Sequence, residues 1–378
     1  MKPPVFELEK YFEKHEFKAP YILCASDSES LSLKELLAMA DEESLVLWEN
    51  LRLGYTELRG SPLLRREIAK LYEQVDKSEV VVFAGAQEAL FGAINTLVRA
   101  GDHVIVLQPC YQSLATLPKE LGAEVIPLIL KERGGSWHFD VQDLERLVTP
   151  KTRLIIINFP HNPTSVHIDL ATLEQIIACA RNVGAYLLSD EVYRFSEHRG
   201  SSLPPAADLY EKAVSVGVLS KTFGLAGLRI GWLASQDREL IDDCLDLKCY
   251  LSLCNSASSE VLAIMALRAK EKIISRNLNI IRANLDLLDR FFQKYSHLFA
   301  WKRPQAGSTT FPKLLAPLSI GEFVDDLMTK EGVMLLPASV YKFPGNYFRI
   351  GFGRKDMPEA LNRLEKFIKS TFRDLYED

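Results

Sequence analysis

The sequence predicts an α/β fold, with a large domain built on a mostly parallel sheet and a smaller α+β domain beside it. Three observations carry this. Between about residues 80 and 235, short β-branched runs alternate with amphipathic stretches, the rhythm of βαβ units covered on both faces. From Ser258 to His297 a periodic segment runs without proline or glycine and is followed by short strand-like runs. Finally, 378 residues, 47% of them hydrophobic, supply material for two sizeable cores.

In chain order, strands are expected at Val80–Phe83, His103–Leu107, Glu124–Leu130, Leu154–Asn158, Ala185–Ser189, Ala213–Leu219 and Arg229–Ala234. Helix-like stretches at Gln87–Val98, Asp140–Leu147 and Leu170–Val183 fall between them. The periodic segment after 255 reads as one or two extended helices. Phe311–Leu315, Val333–Leu336 and Tyr347–Phe352 then read as strands, and about Pro358–Tyr376 as a closing helix. The expected division is a large domain over 46–255, with 1–45 and 256–378 forming an N-terminal segment and a C-terminal small domain. Ligands of such sheets sit at the carboxyl ends of the strands, so chemistry is expected there.

A net charge of −5 offers no basic footprint for nucleic acid or anionic membrane. The opening Met-Lys-Pro-Pro-Val-Phe-Glu-Leu-Glu-Lys has charges where a signal peptide needs its apolar run. No stretch approaches the roughly 20 apolar residues of a membrane span, and a cytoplasmic location is expected. The six cysteines include no Cys-x-x-Cys pair, which suits free thiols in a reducing compartment, and no metal site is expected.

Several strand ends carry reactive or binding side chains. Lys221 follows the apolar run Val214–Leu219, and Gly224, Ala226 and Gly227 after it allow a close approach of backbone and ligand. A lysine so placed is desolvated, which lowers its pKa and frees a nucleophilic amine. Asp190 ends another expected strand, with Tyr193 three residues on. Asn162, in Pro160-His161-Asn162-Pro163, presents a constrained amide. At Gly85-Ala86-Gln87 a strand stops at a glycine and a helix begins, an arrangement whose free N–H groups bind phosphate, with Ser220 and Arg229 converging. Taken singly, each element also fits an ordinary structural role. His161 and His167 read as structural.

The order and spacing of these pieces give more than any one of them. Gly54-Tyr55 with Gly60 and Leu64-Arg65, Gly85-Ala86-Gln87, Pro109-Cys110-Tyr111, Asn162-Pro163-Thr164, Asp190-Glu191-Val192-Tyr193, Ser220-Lys221 with Arg229, and Phe348-Arg349-Ile350 span most of the chain. In this the sequence resembles the class I/II aminotransferases, the aspartate aminotransferase group of fold-type I enzymes dependent on pyridoxal 5'-phosphate (PLP). The resemblance implies a fold-type I PLP-dependent transferase in which Lys221 carries the cofactor as a Schiff base and shuttles protons. It implies that Asp190 pairs with the pyridine nitrogen, that Asn162 and Tyr193 contact the ring's phenolate oxygen, and that Tyr111 stacks on the ring. Gly85, Ala86, Gln87, Ser220 and Arg229 would bind the phosphate, joined by Tyr55 of a neighbouring subunit in a homodimer. Arg349, and with it Asn162, would bind substrate, the arginine gripping the α-carboxylate.

Two places depart from the family pattern. Where relatives commonly carry a pocket glycine, this chain has Leu23-Cys24-Ala25-Ser26-Asp27-Ser28-Glu29-Ser30, so Ser26 or Asp27 is expected to alter the pocket. Ser165 replaces the usual glycine after Asn-Pro-Thr. The favoured activity is transfer of an amino group from an L-amino acid to a 2-oxo acid by a ping-pong route. A PLP-dependent lyase, decarboxylase or cyclising synthase stays open, because the same residues serve any reaction that makes a carbanion at Cα. A PLP-sensing transcription factor would need a basic DNA-binding module ahead of residue 54, and that stretch is acidic and short.

Overall fold

The computed structural model describes residues 4–372. A seven-stranded sheet organises it. Its strands are β1 (Val80–Phe83), β2 (His103–Gln108), β3 (Glu124–Ile129), β4 (Thr152–Asn158), β5 (Tyr186–Asp190), β6 (Ala213–Val218) and β7 (Gly231–Ala234). They lie in the order β1-β7-β6-β5-β4-β2-β3. β7 runs antiparallel to both of its neighbours, and every other adjacent pair is parallel. Every residue of β1, β6 and β7 is buried, which explains why these strands read as continuous apolar runs rather than alternating ones.

The two faces of the sheet meet different helices. α1 (Glu7–His15) lies over the site described below, whereas α2 (Ala86–Leu97), α3 (Gln112–Glu120), α4 (Leu170–Val183) and α5 (Arg238–Cys249) cover the sheet. Leu154 and Ile156 of β4 pack in one cluster with Ala93, Ile94 and Leu97 of α2 and Ile241 of α5. Ile155 and Ile157 point the other way, into Leu173, Ile176 and Ile177 of α4, as the two-residue period of a strand requires. The ends of α4 follow from local chemistry: the Asp169 side chain accepts the Thr172 N–H at one end, and Gly184 adopts the left-handed conformation at the other.

The periodic segment after 255 forms two helices, α6 (Ala257–Arg268) and α7 (Lys270–Lys294), and α8 (Ile320–Glu331) and α9 (Met357–Thr371) follow. Residues 373–376 of the expected closing helix lie outside the described residues. The strand expected at Phe311–Leu315 is instead divided into Thr309–Thr310 and Lys313–Leu314, with Pro312, which cannot donate to a ladder, between them. The strand Phe348–Gly351 lies between Thr309–Thr310 and Leu336–Pro337. Among the described residues, no helix is long and apolar enough to cross a membrane, and no group of three or more His, Cys, Asp or Glu could hold a metal ion.

The segment 21–29 ties these parts together. Tyr21–Ile22 pairs in parallel with Val333–Met334. Gly351 N–H then donates to Leu23 O at 2.8 Å, Glu29 N–H to Gly353 O at 2.8 Å, and Ser28 N–H to Lys221 O at 3.1 Å. This close approach needs a residue without Cβ at Gly351, where an added Cβ would collide with the backbone of Ala25. Gly351→Ala is expected to lower unfolding free energy by about 1–3 kcal/mol through overpacking, read as a lower urea midpoint. An unchanged midpoint would mean that the segment yields freely.

Candidate active site

A cavity of about 340 Å³ opens where β4, β5 and β6 end in Asn158, Asp190 and Val218, the edge at which the topology places ligands. It brings together most of the residues singled out from the sequence: Ala86, Gln87, Tyr111, Asn162, Asp190, Tyr193, Ser220, Lys221, Arg229 and Arg349 all line it.

Lys221 sits in a tight loop after β6, closed by Gly224 N–H to Lys221 O at 3.1 Å and Leu225 N–H to Leu219 O at 2.9 Å. Its Nζ donates to Ser26 Oγ at 2.9 Å. Burial pushes its pKa below the ordinary lysine range; Asp27 opposes that shift and Arg349 reinforces it. The same burial acts in the opposite direction on Asp190, which is pushed up to about 7, with the Val192 N–H and Lys221 opposing. Asn158 links the strand ends: its Nδ2 donates to Asp190 O at 2.8 Å, and its Oδ1 accepts the Asn162 N–H at 2.9 Å. Tyr193 is 3% exposed, and Ser26 lies beside its hydroxyl.

On the other side, α2 begins directly after Gly85 (φ 96°), and no side chain caps its first turn. The free N–H groups of that turn are an anion site. Arg229 stands beside it, donating from Nη2 to Ala84 O at 3.3 Å and from Nη1 to Ala226 O at 3.1 Å. Gly85 does not line the cavity; it keeps the turn open, since a Cβ there would press on the Arg229 guanidinium. Tyr55 is not a lining residue either and is 91% exposed.

Arg349 is 2% exposed. Its Nε donates to Cys24 O at 2.9 Å, and Nη1 to Tyr341 Oη at 2.7 Å and Asn162 Oδ1 at 3.3 Å. No carboxylate pairs with it among the described residues, and a buried cation without a counter-ion is an anion site in waiting. Asn162 thus holds the arginine in place.

Sequence reasoning missed a whole wall. α1 supplies Leu8, Glu9 and Phe12, and Glu16 follows at its C-terminal cap. Glu9 accepts from the Tyr111 hydroxyl at 3.1 Å, and Phe12 places its ring 5.7 Å from the Arg349 guanidinium carbon. The apolar spacing of Leu8 and Phe12 signals such a helix but not where it docks. Ser26 and Asp27 do line the pocket, and Asp27 accepts a two-point pair from Arg354, Nε to Oδ1 at 3.1 Å and Nη2 to Oδ2 at 3.0 Å.

The model of the family "Aminotransferase class I and II" matches residues 22–364. The chain belongs to that family. It is an enzyme, a PLP-dependent aminotransferase with the architecture of fold type I. A PLP-dependent aminotransferase from Streptococcus suis matches with TM-score 0.91 at 33% identity, over 98% of this chain and 99% of that one. Capreomycidine synthase of Streptomyces vinaceus is 28% identical over 96% of this chain and 93% of its own length. The aspartate aminotransferase of Sulfurisphaera tokodaii is 27% identical over 83% of this chain and 82% of its own.

The residues present fit the cofactor that the family implies. The uncapped turn at Ala86 beside Arg229 suits a phosphate, the buried Tyr193 hydroxyl suits a ring oxygen, and Asp190 suits a protonated ring nitrogen.

His161 lies buried beside this site, its Nδ1 hydrogen-bonded with Thr164 Oγ1 at 2.8 Å, and burial pushes its pKa down to about 3. A depressed folded-state pKa contributes stability that is complete above the unfolded value of 6.5 and is lost as pH falls toward 3. Between pH 7 and 5, His161→Asn should therefore show a shallower loss of unfolding free energy than the parent. Equal slopes in denaturant titrations would refute this.

Proposed function

We propose that this aminotransferase moves the amino group of an L-amino acid to a 2-oxo acid in two alternating half-reactions, with Lys221 as both cofactor anchor and proton carrier. The observation that carries the reading is a lysine amine with a burial-lowered pKa, in one cavity with Asp190 and the counter-ion-free Arg349. When bound, PLP supplies a carbonyl carbon that stores the amino group between half-reactions and a ring that accepts the electron pair left at substrate Cα.

The protein's own groups would do the rest. Lys221 would hold the cofactor covalently and, once released, take the proton from substrate Cα, a transfer that a positioned base accelerates by about 10² to 10⁴. The desolvation that disfavours its ammonium form keeps the amine available for both tasks. Asp190 would accept the proton-bearing ring nitrogen, whose positive charge favours the ionised carboxylate against burial. Asn162 and Tyr193 would meet the ring oxygen and Tyr111 the ring face. The N–H groups of Ala86 and Gln87, opened by Gly85, would bind phosphate with Ser220 and Arg229. Tyr55 of a second subunit would complete that cradle, and its exposure leaves it available to do so. Arg349 would fork onto the substrate α-carboxylate.

With holoenzyme, borohydride should fix PLP to Lys221, and Lys221→Ala should lower turnover by at least about 10²-fold. A label on another lysine would overturn the assignment. Arg349→Lys should raise KM for the amino donor about tenfold or more, because a bidentate contact is lost. An unchanged KM would remove Arg349 from the carboxylate site. If no amino acid in a panel yields its 2-oxo acid, transamination is wrong and a lyase, decarboxylase or cyclising reaction on the same scaffold takes its place.

A further inference from the structure

The wall contributed by α1 has a charge pattern that the chemistry above does not use. Leu8, Glu9, Phe12 and Glu16 all line the cavity, so two carboxylates, the exposed Glu9 and the half-buried Glu16, stand at its α1 wall. A third, Asp27, is neutralised by the two-point pair with Arg354. The remaining cations of the cavity are committed: Lys221 and Arg229 to the cofactor and Arg349, on the present reading, to the substrate α-carboxylate. Glu9 is met only by a neutral phenol, at 3.1 Å. Glu16 has no hydrogen-bond or ion-pair partner for its carboxylate among the described residues. Burial pushes the Glu16 carboxyl above the usual range, with Arg354 the main opposing neighbour.

A second, independent observation shows which way the substrate lies. Arg349, nearly fully buried and without a counter-ion, marks the carboxylate end, and Phe12 of α1 packs over its guanidinium. A substrate anchored there would lie beside the same helix. An acidic side chain would meet Glu9 and Glu16 with no free cation to answer it, since Arg354 is occupied by Asp27.

We infer that this enzyme selects amino substrates with a cationic side chain, a guanidinium or an ammonium, through Glu9 and Glu16 of the α1 wall. The inference rests on Arg349 taking the α-carboxylate as proposed above. An amino acid of this class supplies both ends of the required pattern: an anion for Arg349 and a cation for the helix.

The test uses holoenzyme and two readouts. Spectral titration of the bound cofactor gives the dissociation constant for each donor, and 2-oxo acid formation reports transfer. Arginine and its neutral isostere citrulline form one pair, with lysine separating ammonium from guanidinium and glutamate as the acidic arm. Arginine or lysine should bind about tenfold or more tightly than citrulline and more tightly still than glutamate, the scale of one charge-assisted contact. Glu16→Gln and Glu9→Gln should each shrink the arginine-to-citrulline ratio several-fold. Equal binding of arginine and citrulline, tightest binding of glutamate, or a ratio unmoved by both substitutions would overturn the inference. Preferential arginine binding without any 2-oxo acid would support it while refuting transamination, so the two readings fail separately.

Discussion

The site depends on the hydrogen bonds and close contacts that pin the extended segment 21–29 between the C-terminal strand Phe348–Gly351 and the loop of Lys221. Its backbone carbonyl at Cys24 fixes the Arg349 guanidinium, and the side chain of Ser26 receives the Lys221 amine. Its Asp27 engages Arg354. One stretch of chain thereby sets the relation between Arg349 and Lys221, which belong to elements far apart in sequence. The glycine at 351 is part of the same constraint, because only a bare backbone admits the segment at that distance.

Within this frame, a single physical cause produces two complementary protonation tendencies. Removal from water disfavours charge, so it lowers the pKa of Lys221 and raises that of Asp190. Neither shift needs an unusual partner; both follow from placing the groups at the inner end of a sheet whose strands are sealed on both faces. The counter-ion-free Arg349 completes the set. The cavity is poised for a ligand that carries its own charges, and the cofactor and an amino acid together match that demand.

Much of this was legible in the sequence where the physics is local. Strands sealed on both faces are largely apolar, so β1, β6 and β7 were readable as runs, and residues close after β1 and β6, Gly85 and Lys221, became site candidates. The Asp169 and Gly184 caps made the limits of α4 readable as well. What was not legible depends on distant encounters. Asp27 and Arg354 meet across 327 residues, and Tyr341 supports Arg349 from a turn with no distinguishing pattern. The periodicity of α1 marks an apolar stripe but cannot say that the stripe closes over a cavity, or that Glu9 and Glu16 line that cavity. The division of the expected strand at Phe311–Leu315 follows from Pro312, which has no N–H to donate to a ladder.

The attachment of α1 has a further consequence. The helix is fastened by hydrogen bonds, Glu7 N–H to Gln112 Oε1 at 2.8 Å and Tyr11 Oη to Leu335 O at 2.8 Å, and by a small apolar cluster in which Leu8 packs with Cys24, Met334 and Leu336. Its residues belong to none of the three large hydrophobic clusters to which the sheet contributes. Substitutions on its inner face can therefore redraw the substrate pocket without disturbing the core that holds Lys221 and Asp190. On the reading proposed above, selectivity and chemistry would be carried by separable parts of the chain, which would give a lineage of such enzymes room to exchange one substrate for another while the scaffold around Lys221 stays constant.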